Sequence, residues 1–161
     1  MKISEFRYER KFVINNLNSK EVESIVMLHP YMFSEIFHKR FINNIYFDSM
    51  DLVNYYDNVD GNSQRVKIRI RWYDELFSFI EKPVLELKTK KGLLGRKFSL
   101  QINPFKIDYN FNFQNYHDKI KNSEIFDLRK YNVDLSSPVL LNRYSRKYYL
   151  SKDKNFRITI D

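Results

Sequence analysis

Polar and apolar side chains alternate along several stretches of this chain, most regularly at residues 64–73. Successive side chains of an extended strand point to opposite faces, so such alternation predicts a β-strand with one buried face. One predicted face is basic and the other apolar. The basic face carries Arg65, Lys67, Arg69, Arg71 and Tyr73, and the apolar face carries Val66, Ile68, Ile70 and Trp72.

The same alternation predicts further strands on both sides of this one. At residues 84–90, Glu86 and Lys88 oppose Leu85 and Leu87. The Gly92–Gly95 segment then predicts a turn into a partner strand that carries Lys97 and Phe98 on opposite faces. The remaining predicted strands are residues 5–14, 42–47, 139–150 and 156–161.

Helical spacing is confined to short stretches. A helix is predicted at residues 19–29, capped by Asn18 or Ser19 and stopped by Pro30. A short helical turn is predicted at residues 48–56, with Asp48 as its cap rather than as a metal ligand. The basic cluster His38–Arg40 is interpreted as a solvated turn. Residues 104–137 show weak spacing that predicts short helices and loops.

Length and composition narrow the class of protein. The 161 residues fit one domain, and with no cysteine the chain has neither disulfides nor thiolate metal sites, which suits a cytoplasmic protein. No apolar run is long enough to cross a bilayer, and the N-terminus is charged where a signal peptide would be apolar. The 3 glycines argue against a Gly-rich nucleotide loop.

The charge balance indicates a polyanionic ligand. Lys and Arg total 28 against 20 Asp and Glu, a net charge of +8, which favours nucleic acid, anionic membrane, nucleotide or polyphosphate. Lys67, Arg69 and Arg71 follow one another on one face at roughly 7 Å and repel one another. For any single strand, the alternative is a solvated outer face of a sandwich. Because several strands carry such bases, a bound anion explains the pattern better.

Two geometries would use these basic faces. An open sheet would offer a platform to nucleic acid, whereas a closed barrel would turn the basic faces into a tunnel. Glu9 and Glu86 share the faces of the bases, where they would serve a divalent metal beside phosphate better than they would serve nucleic acid. The opposite faces, with Trp72, Phe98 and Ile158, are expected to be covered by helices such as 19–29. The tunnel is therefore the favoured interpretation.

Several short motifs in order resemble those of a known family. They are Arg7-Tyr8-Glu9-Arg10-Lys11-Phe12, Tyr46-Phe47-Asp48, Lys67-x-Arg69-x-Arg71-Trp72-Tyr73, Glu86-x-Lys88, Tyr144-x-Arg146 and Arg157-x-Thr159-x-Asp161. The chain resembles the VTC domain, the polyphosphate polymerase domain of vacuolar transporter chaperone complexes, in the superfamily of CYTH-like triphosphate tunnel metalloenzymes. The resemblance implies an α+β fold over residues 1–161, a single antiparallel β-tunnel domain (a CYTH-like barrel) with short helices packed outside.

The resemblance also implies roles for individual residues. Glu9 and Glu86 would be the carboxylates near a bound Mn²⁺ or Mg²⁺. Direct contacts with substrate would come from Lys67, Lys97 and Tyr73. The basic residues that would line the tunnel and act in catalysis are Lys11, Arg69, Arg71, Lys88, Arg146 and Arg157.

The activity implied is transfer of the terminal phosphoryl group of ATP to a polyphosphate chain. The expected ligands are ATP, inorganic polyphosphate or tripolyphosphate; nucleic acid is less favoured, and a membrane-associated partner is an open alternative. Other functions left open are an inorganic or nucleoside triphosphatase, and a non-catalytic polyphosphate-binding or nucleic-acid-binding module.

Two departures from the family pattern bear on catalysis. Arg7 replaces the first Glu of the superfamily's Glu-x-Glu-x-Lys motif, which resembles the polymerase branch more than the hydrolase branch. The chain also ends after the strand Arg157–Asp161, before strands that supply another metal-binding Glu and a tunnel Lys in the family. The tunnel is thus expected to be truncated at this end, and phosphate binding is a firmer prediction than turnover.

Overall fold

The computed structural model describes residues 2–3, 9–92, 94–112 and 137–161, the first two by their backbone alone. Two short helices accompany an antiparallel sheet, which confirms the α+β class. The helices are α1 (Ser19–Met27) and α2 (Val53–Val59). The strands are β1 (Lys2–Ile3), β2 (Ser34–Asp48), β3 (Gln64–Tyr73), β4 (Phe79–Ile80), β5 (Val84–Lys91), β6 (Leu94–Gln101), β7 (Phe105–Lys106), β8 (Ser137–Leu150) and β9 (Arg157–Ile160).

Seven of the described strands form one sheet in the order β1-β6-β5-β3-β2-β8-β9, and β4 pairs with β7 separately. The chain divides into a larger unit, Met1–Phe6 with Asn43–Arg143, and a smaller unit, Arg7–Ile42 with Tyr144–Asp161. β2 and β8 contribute residues to both units. Each unit has a hydrophobic cluster of its own. The single domain predicted over residues 1–161 stays a prediction.

The core of the larger unit lies on the apolar faces of β3, β5 and β6. Antiparallel pairing sets Ile68 opposite Leu87, and Leu87 opposite Phe98. Trp72 packs edge-to-face against Phe105 and donates its indole N–H to the carbonyl of Glu75 over 3.0 Å. The strand predicted at residues 64–73 is confirmed, and Trp72 lies in the core as expected. The hairpin between β5 and β6 is also confirmed, with Gly92 at φ +60° in its turn.

Helix α2 begins later than the predicted helical turn, because the chain first makes a tight turn after β2. The Asp48 carboxylate spans that turn, accepting hydrogen bonds from the backbone N–H groups of Ser49, Asn54 and Tyr55 at 2.8–2.9 Å. Leu52, directly before the helix, has a left-handed φ of 54° and makes no side-chain cap. The prediction that Asp48 is a cap is confirmed.

The smaller unit is built on helix α1 and the hairpin of β8 and β9. Asn18 caps α1 in a capping box with Glu21, which confirms the predicted helix start. Val26 packs with Tyr149 and with the partly buried Ile158. The expectation that this helix covers an apolar strand face is therefore confirmed for Ile158. In the part of the chain that the structure describes, neither helix is long and apolar enough to cross a membrane.

Two predictions about local structure were wrong. Residues 9–14, within the strand predicted at 5–14, are irregular, and Val13 is 88% exposed; alternation alone does not make a strand where the apolar side chains find no core. The predicted turn at His38–Arg40 lies inside β2, whose first half is largely exposed and so lacks the alternation of a half-buried strand. Residues 5–8 of the strand predicted at 5–14 lie outside the described residues. The same holds for residues 113–136, which belong to the short helices and loops predicted at 104–137.

Candidate functional site

The polar sides of β3, β5 and β6 form one surface of the larger unit, here called the cationic face. Strand pairing places Lys67, Lys88 and Lys97 in one row across the three strands. The next row holds Arg69, Glu86 and Ser99 in register. Same-face residues repeat at roughly 7 Å along a strand, and neighbouring strands lie about 4.8 Å apart. The charged members of the cationic face are Arg65, Lys67, Arg69, Arg71, Glu86, Lys88, Lys90 and Lys97.

Glu86 is the acid of this face, and three cations surround its buried carboxylate. Oε2 accepts from Nε of Arg69 at 2.7 Å and lies 2.5 Å from Nη2 of the same guanidinium. Oε1 lies 2.5 Å from Nζ of Lys97 and 3.7 Å from Nη1 of Arg71. The structure thus brings together four of the residues that the sequence nominated.

The electrostatics of this cluster favour the ionised carboxylate. Burial alone would raise the pKa of Glu86, but the charges of Arg69 and Arg71 and the hydrogen bond from Lys97 outweigh it and lower the pKa. Burial would lower the pKa of Arg69, but the attraction of Glu86 and the contact with Tyr46 raise it. Three cations against one carboxylate leave the cluster with two positive charges in excess.

Strand β2 supplies two side chains that fix the arginines. The Tyr46 hydroxyl accepts from Nη1 of Arg69 at 3.1 Å, and Oδ1 of Asn44 accepts from Nε of Arg71 at 3.2 Å. The Asn44 amide nitrogen in turn donates to Oδ1 of Asn142, on β8, at 2.9 Å. Sequence reasoning nominated none of these three side chains as site residues. The available signal was the polar pair Asn43 and Asn44 in a predicted strand, since buried amides require partners.

The other nominated residues of the larger unit line the same face. Lys67 and Lys88 are exposed and lie directly opposite each other, and Lys88 is opposite Lys97 in turn. Like charges in directly opposed positions repel each other, so an anion bound along this row would add stability. Tyr73, the last residue of β3, follows the same alternation and is 41% exposed.

Four nominated residues lie in the smaller unit. Glu9 and Lys11 form an exposed ion pair at 3.8 Å. Arg146 makes a two-point ion pair with Asp161, and this hydrogen bonding raises its pKa. Arg157 is exposed on β9. That these four residues share one phosphate-binding site with Arg69 stays a prediction.

The carboxylates nominated as metal ligands lie beside cations in the described part of the chain. Among the described residues there is no group of three His, Cys, Asp or Glu side chains that could hold a metal ion. Both oxygens of Glu86 face cations, and the Glu9 carboxylate pairs with Lys11. The metal-binding roles of Glu9 and Glu86 therefore stay predictions.

Chemically, the cationic face can hold an anion that has many charged oxygens. Guanidinium groups fixed by Glu86, Tyr46 and Asn44 present N–H donors in a set geometry, and the lysine row adds further positive charge beside them. Comparison with curated proteins finds no match. A family model described as the VTC domain matches residues 6–161, nearly the whole chain. The resemblance in the sequence motifs is thus confirmed, and the chain belongs to the VTC domain family.

Proposed function

We propose that the cationic face binds the phosphate chain of ATP or polyphosphate, and that the protein transfers the terminal phosphoryl group of ATP to a polyphosphate chain. The observation that carries the proposal is the row of Lys67, Lys88 and Lys97 beside the ordered Arg69 and Arg71. Membership of the VTC domain family supports the same substrate class. The proposed location is the cytoplasm, where ATP is available.

A linear chain of phosphates fits this arrangement better than an isolated anion does. Positive charge repeats along β3 and across to β5 and β6, so successive phosphates along one ligand can each meet a cation. Guanidinium groups bind phosphate oxygens in bidentate fashion, and ammonium groups act as point charges. The Glu86 carboxylate keeps Arg69 and Arg71 in place before any ligand binds, which lowers the ordering cost of binding.

The chemistry asks for positioning rather than for a covalent intermediate. An oxygen of the terminal phosphate of the acceptor chain attacks the γ-phosphorus of ATP. The bond from that phosphorus to the β,γ-bridging oxygen breaks, ADP leaves, and the acceptor is longer by one phosphate. The arginines and lysines would neutralise the charge on the transferred group and on the leaving oxygens. We propose that Mn²⁺ or Mg²⁺ enters with ATP, where it would act as a Lewis acid and neutralise charge on the transferred phosphoryl group.

The direct test is product analysis with ATP, Mn²⁺ or Mg²⁺ and a short polyphosphate primer. Growth of the primer with matching ADP release supports the proposal. Release of phosphate from tripolyphosphate without growth makes the protein a triphosphatase instead. Binding of tripolyphosphate without turnover leaves a polyphosphate-binding module, and failure to bind it at all refutes the phosphate site.

Matched variants make this test specific to the cationic face. Lys97→Ala removes a cation of the cluster. Lys106→Ala removes an exposed cation of the same unit, which lies on β7 and pairs with Asp108 just after that strand. Both variants lose one positive charge. We expect only Lys97→Ala to weaken tripolyphosphate binding strongly, because Lys106 lies outside the three strands of the face.

A further inference from the structure

The fully buried Asn44 links the cationic face to strand β8 through two hydrogen bonds of its side-chain amide. One bond comes from Arg71 at 3.2 Å and the other goes to Asn142 at 2.9 Å. We infer that Asn44 is a positioning residue: it holds the Arg71 guanidinium toward a phosphate chain while leaving its positive charge available. This inference rests on the proposed function.

The hydrogen-bonding partners fix the direction of the Asn44 amide. A guanidinium has only donors, so Asn44 must turn its oxygen to Arg71, which leaves its N–H₂ group for the oxygen of Asn142. Each bond in this chain polarises the next. Arg71 is thereby held at Nε by Asn44, and its Nη1 lies 3.7 Å from Oε1 of Glu86.

The neutrality of Asn44 matters as much as its position. Glu86 already supplies one negative charge to three cations. A carboxylate in place of the Asn44 amide would accept the same hydrogen bond but would halve the charge excess of the cluster. An amide therefore orients Arg71 without neutralising it, which is what a phosphate-binding arginine needs.

The adjacent Asn43 is a natural comparison. It is as fully buried as Asn44, but its amide donates to the backbone carbonyls of Asp74 and Glu75, at 3.3 and 3.4 Å. It contacts no cation of the face through these bonds. Asn43 is thus buried to the same extent as Asn44, but it fixes the turn after β3 instead of an arginine.

The test measures tripolyphosphate affinity by titration calorimetry on folded protein, as judged by circular dichroism. We expect Asn44→Asp to weaken binding about tenfold or more, since an added charge next to Arg71 opposes the ligand. Asn44→Ala should also weaken binding, by lost orientation. Asn43→Ala should lower the melting temperature to a similar extent as Asn44→Ala and leave affinity within about twofold of wild type.

Each outcome decides the matter. Wild-type affinity in Asn44→Asp, or equal losses of affinity in Asn44→Ala and Asn43→Ala, would make Asn44 a structural residue only. Should Asn44→Asp fail to fold, Asn142→Asp keeps the acceptor for Asn44 and adds the charge at a half-buried position; unchanged affinity there overturns the inference. If wild-type protein does not bind tripolyphosphate, the proposed function falls together with the inference.

Discussion

Glu86 combines two properties that normally oppose each other, since it is a buried acid and it stays ionised. Glu86 is only 5% exposed. The guanidinium of Arg69 and the ammonium of Lys97 each lie 2.5 Å from one of its carboxylate oxygens and keep it charged. Removing one partner of a buried ion pair leaves the other charge uncompensated. The resulting loss of stability is far larger than the net contribution of the intact pair. The principal effect of Glu86 is therefore to order the cations around it.

Replacing Glu86 by Gln should reveal this effect as a function of pH. At neutral pH we expect Glu86→Gln to lower the free energy of unfolding by roughly 3 kcal/mol, the low end for a broken buried pair, because the cations are partly exposed. The pKa of Glu86 in the folded protein is lower than its ordinary value of 4.5. The stabilisation by the carboxylate is therefore complete above that pH and is lost as the pH falls through the lowered pKa.

The measurement is urea denaturation of both proteins from neutral pH into acid. The difference between wild type and Glu86→Gln should close as the pH falls, since the wild-type carboxyl becomes neutral as well. Glu81→Gln, at an exposed position, serves as the control and should differ from wild type by less than about 0.5 kcal/mol. A constant difference across the pH range would argue that packing, not charge, makes Glu86 important.

At the scale of elements, the Asp48 carboxylate makes three of the hydrogen bonds that hold the turn between β2 and α2. Asp48 closes the turn from the end of β2 by accepting the N–H groups of Asn54 and Tyr55 in the first turn of α2. These N–H groups have no partner within a helix, and a negative charge near them also interacts favourably with the helix dipole. The short helix is thereby attached to the strand that carries Asn44 and Tyr46.

We expect Asp48→Ala to lower the free energy of unfolding by about 2 kcal/mol, the upper end for a lost cap, because the carboxylate is buried. Asp48→Asn keeps an acceptor oxygen and should lose less. Urea denaturation followed by circular dichroism gives both values. An Asp48→Asn variant as unstable as Asp48→Ala would contradict this expectation, because it would mean that the one retained acceptor oxygen does not hold the turn.

The sequence predicted those elements whose two faces differ in burial. Strand β3 alternates because one side packs in the core and the other carries bases, so residues 64–73 were assigned correctly. The first half of β2 is exposed on both sides and carries no such pattern. Residues 9–14 show the converse, because they alternate without a core to pack against.

The candidate site divides in the same way between local and non-local information. The cations and Glu86 were found because each belongs to a basic face that one strand defines by itself. Asn44, Tyr46 and Asn142 were missed because their contacts depend on β2 lying between β3 and β8. Strand order arises from the packing of distant segments, and no periodicity along a single strand encodes it.

For the whole molecule, the net charge of +8 is concentrated in part on the cationic face. Excess charge of one sign opposes the compact state through self-repulsion, and a bound polyanion relieves it. Ligand binding and stability should therefore be linked in this protein.

The lone tryptophan, Trp72, is 2% exposed in the core of the larger unit, on the strand that carries Arg69 and Arg71. Its fluorescence reports unfolding of the part of the chain that holds the site.

Tripolyphosphate should raise the midpoint of thermal unfolding measured by Trp72 fluorescence. A ligand at 100 times its dissociation constant adds about 2.7 kcal/mol to the stability of the binding state. The rise should be reduced in Lys97→Ala and retained in Lys106→Ala, although both variants lose one charge. Salt at about 1 M, where charges are screened beyond about 3 Å, should shrink the rise without abolishing it, because Arg69 and Arg71 are mostly buried. If both lysine variants lose the same share of this rise, stabilisation by tripolyphosphate depends on net charge alone. The row of lysines would then have no specific role in binding.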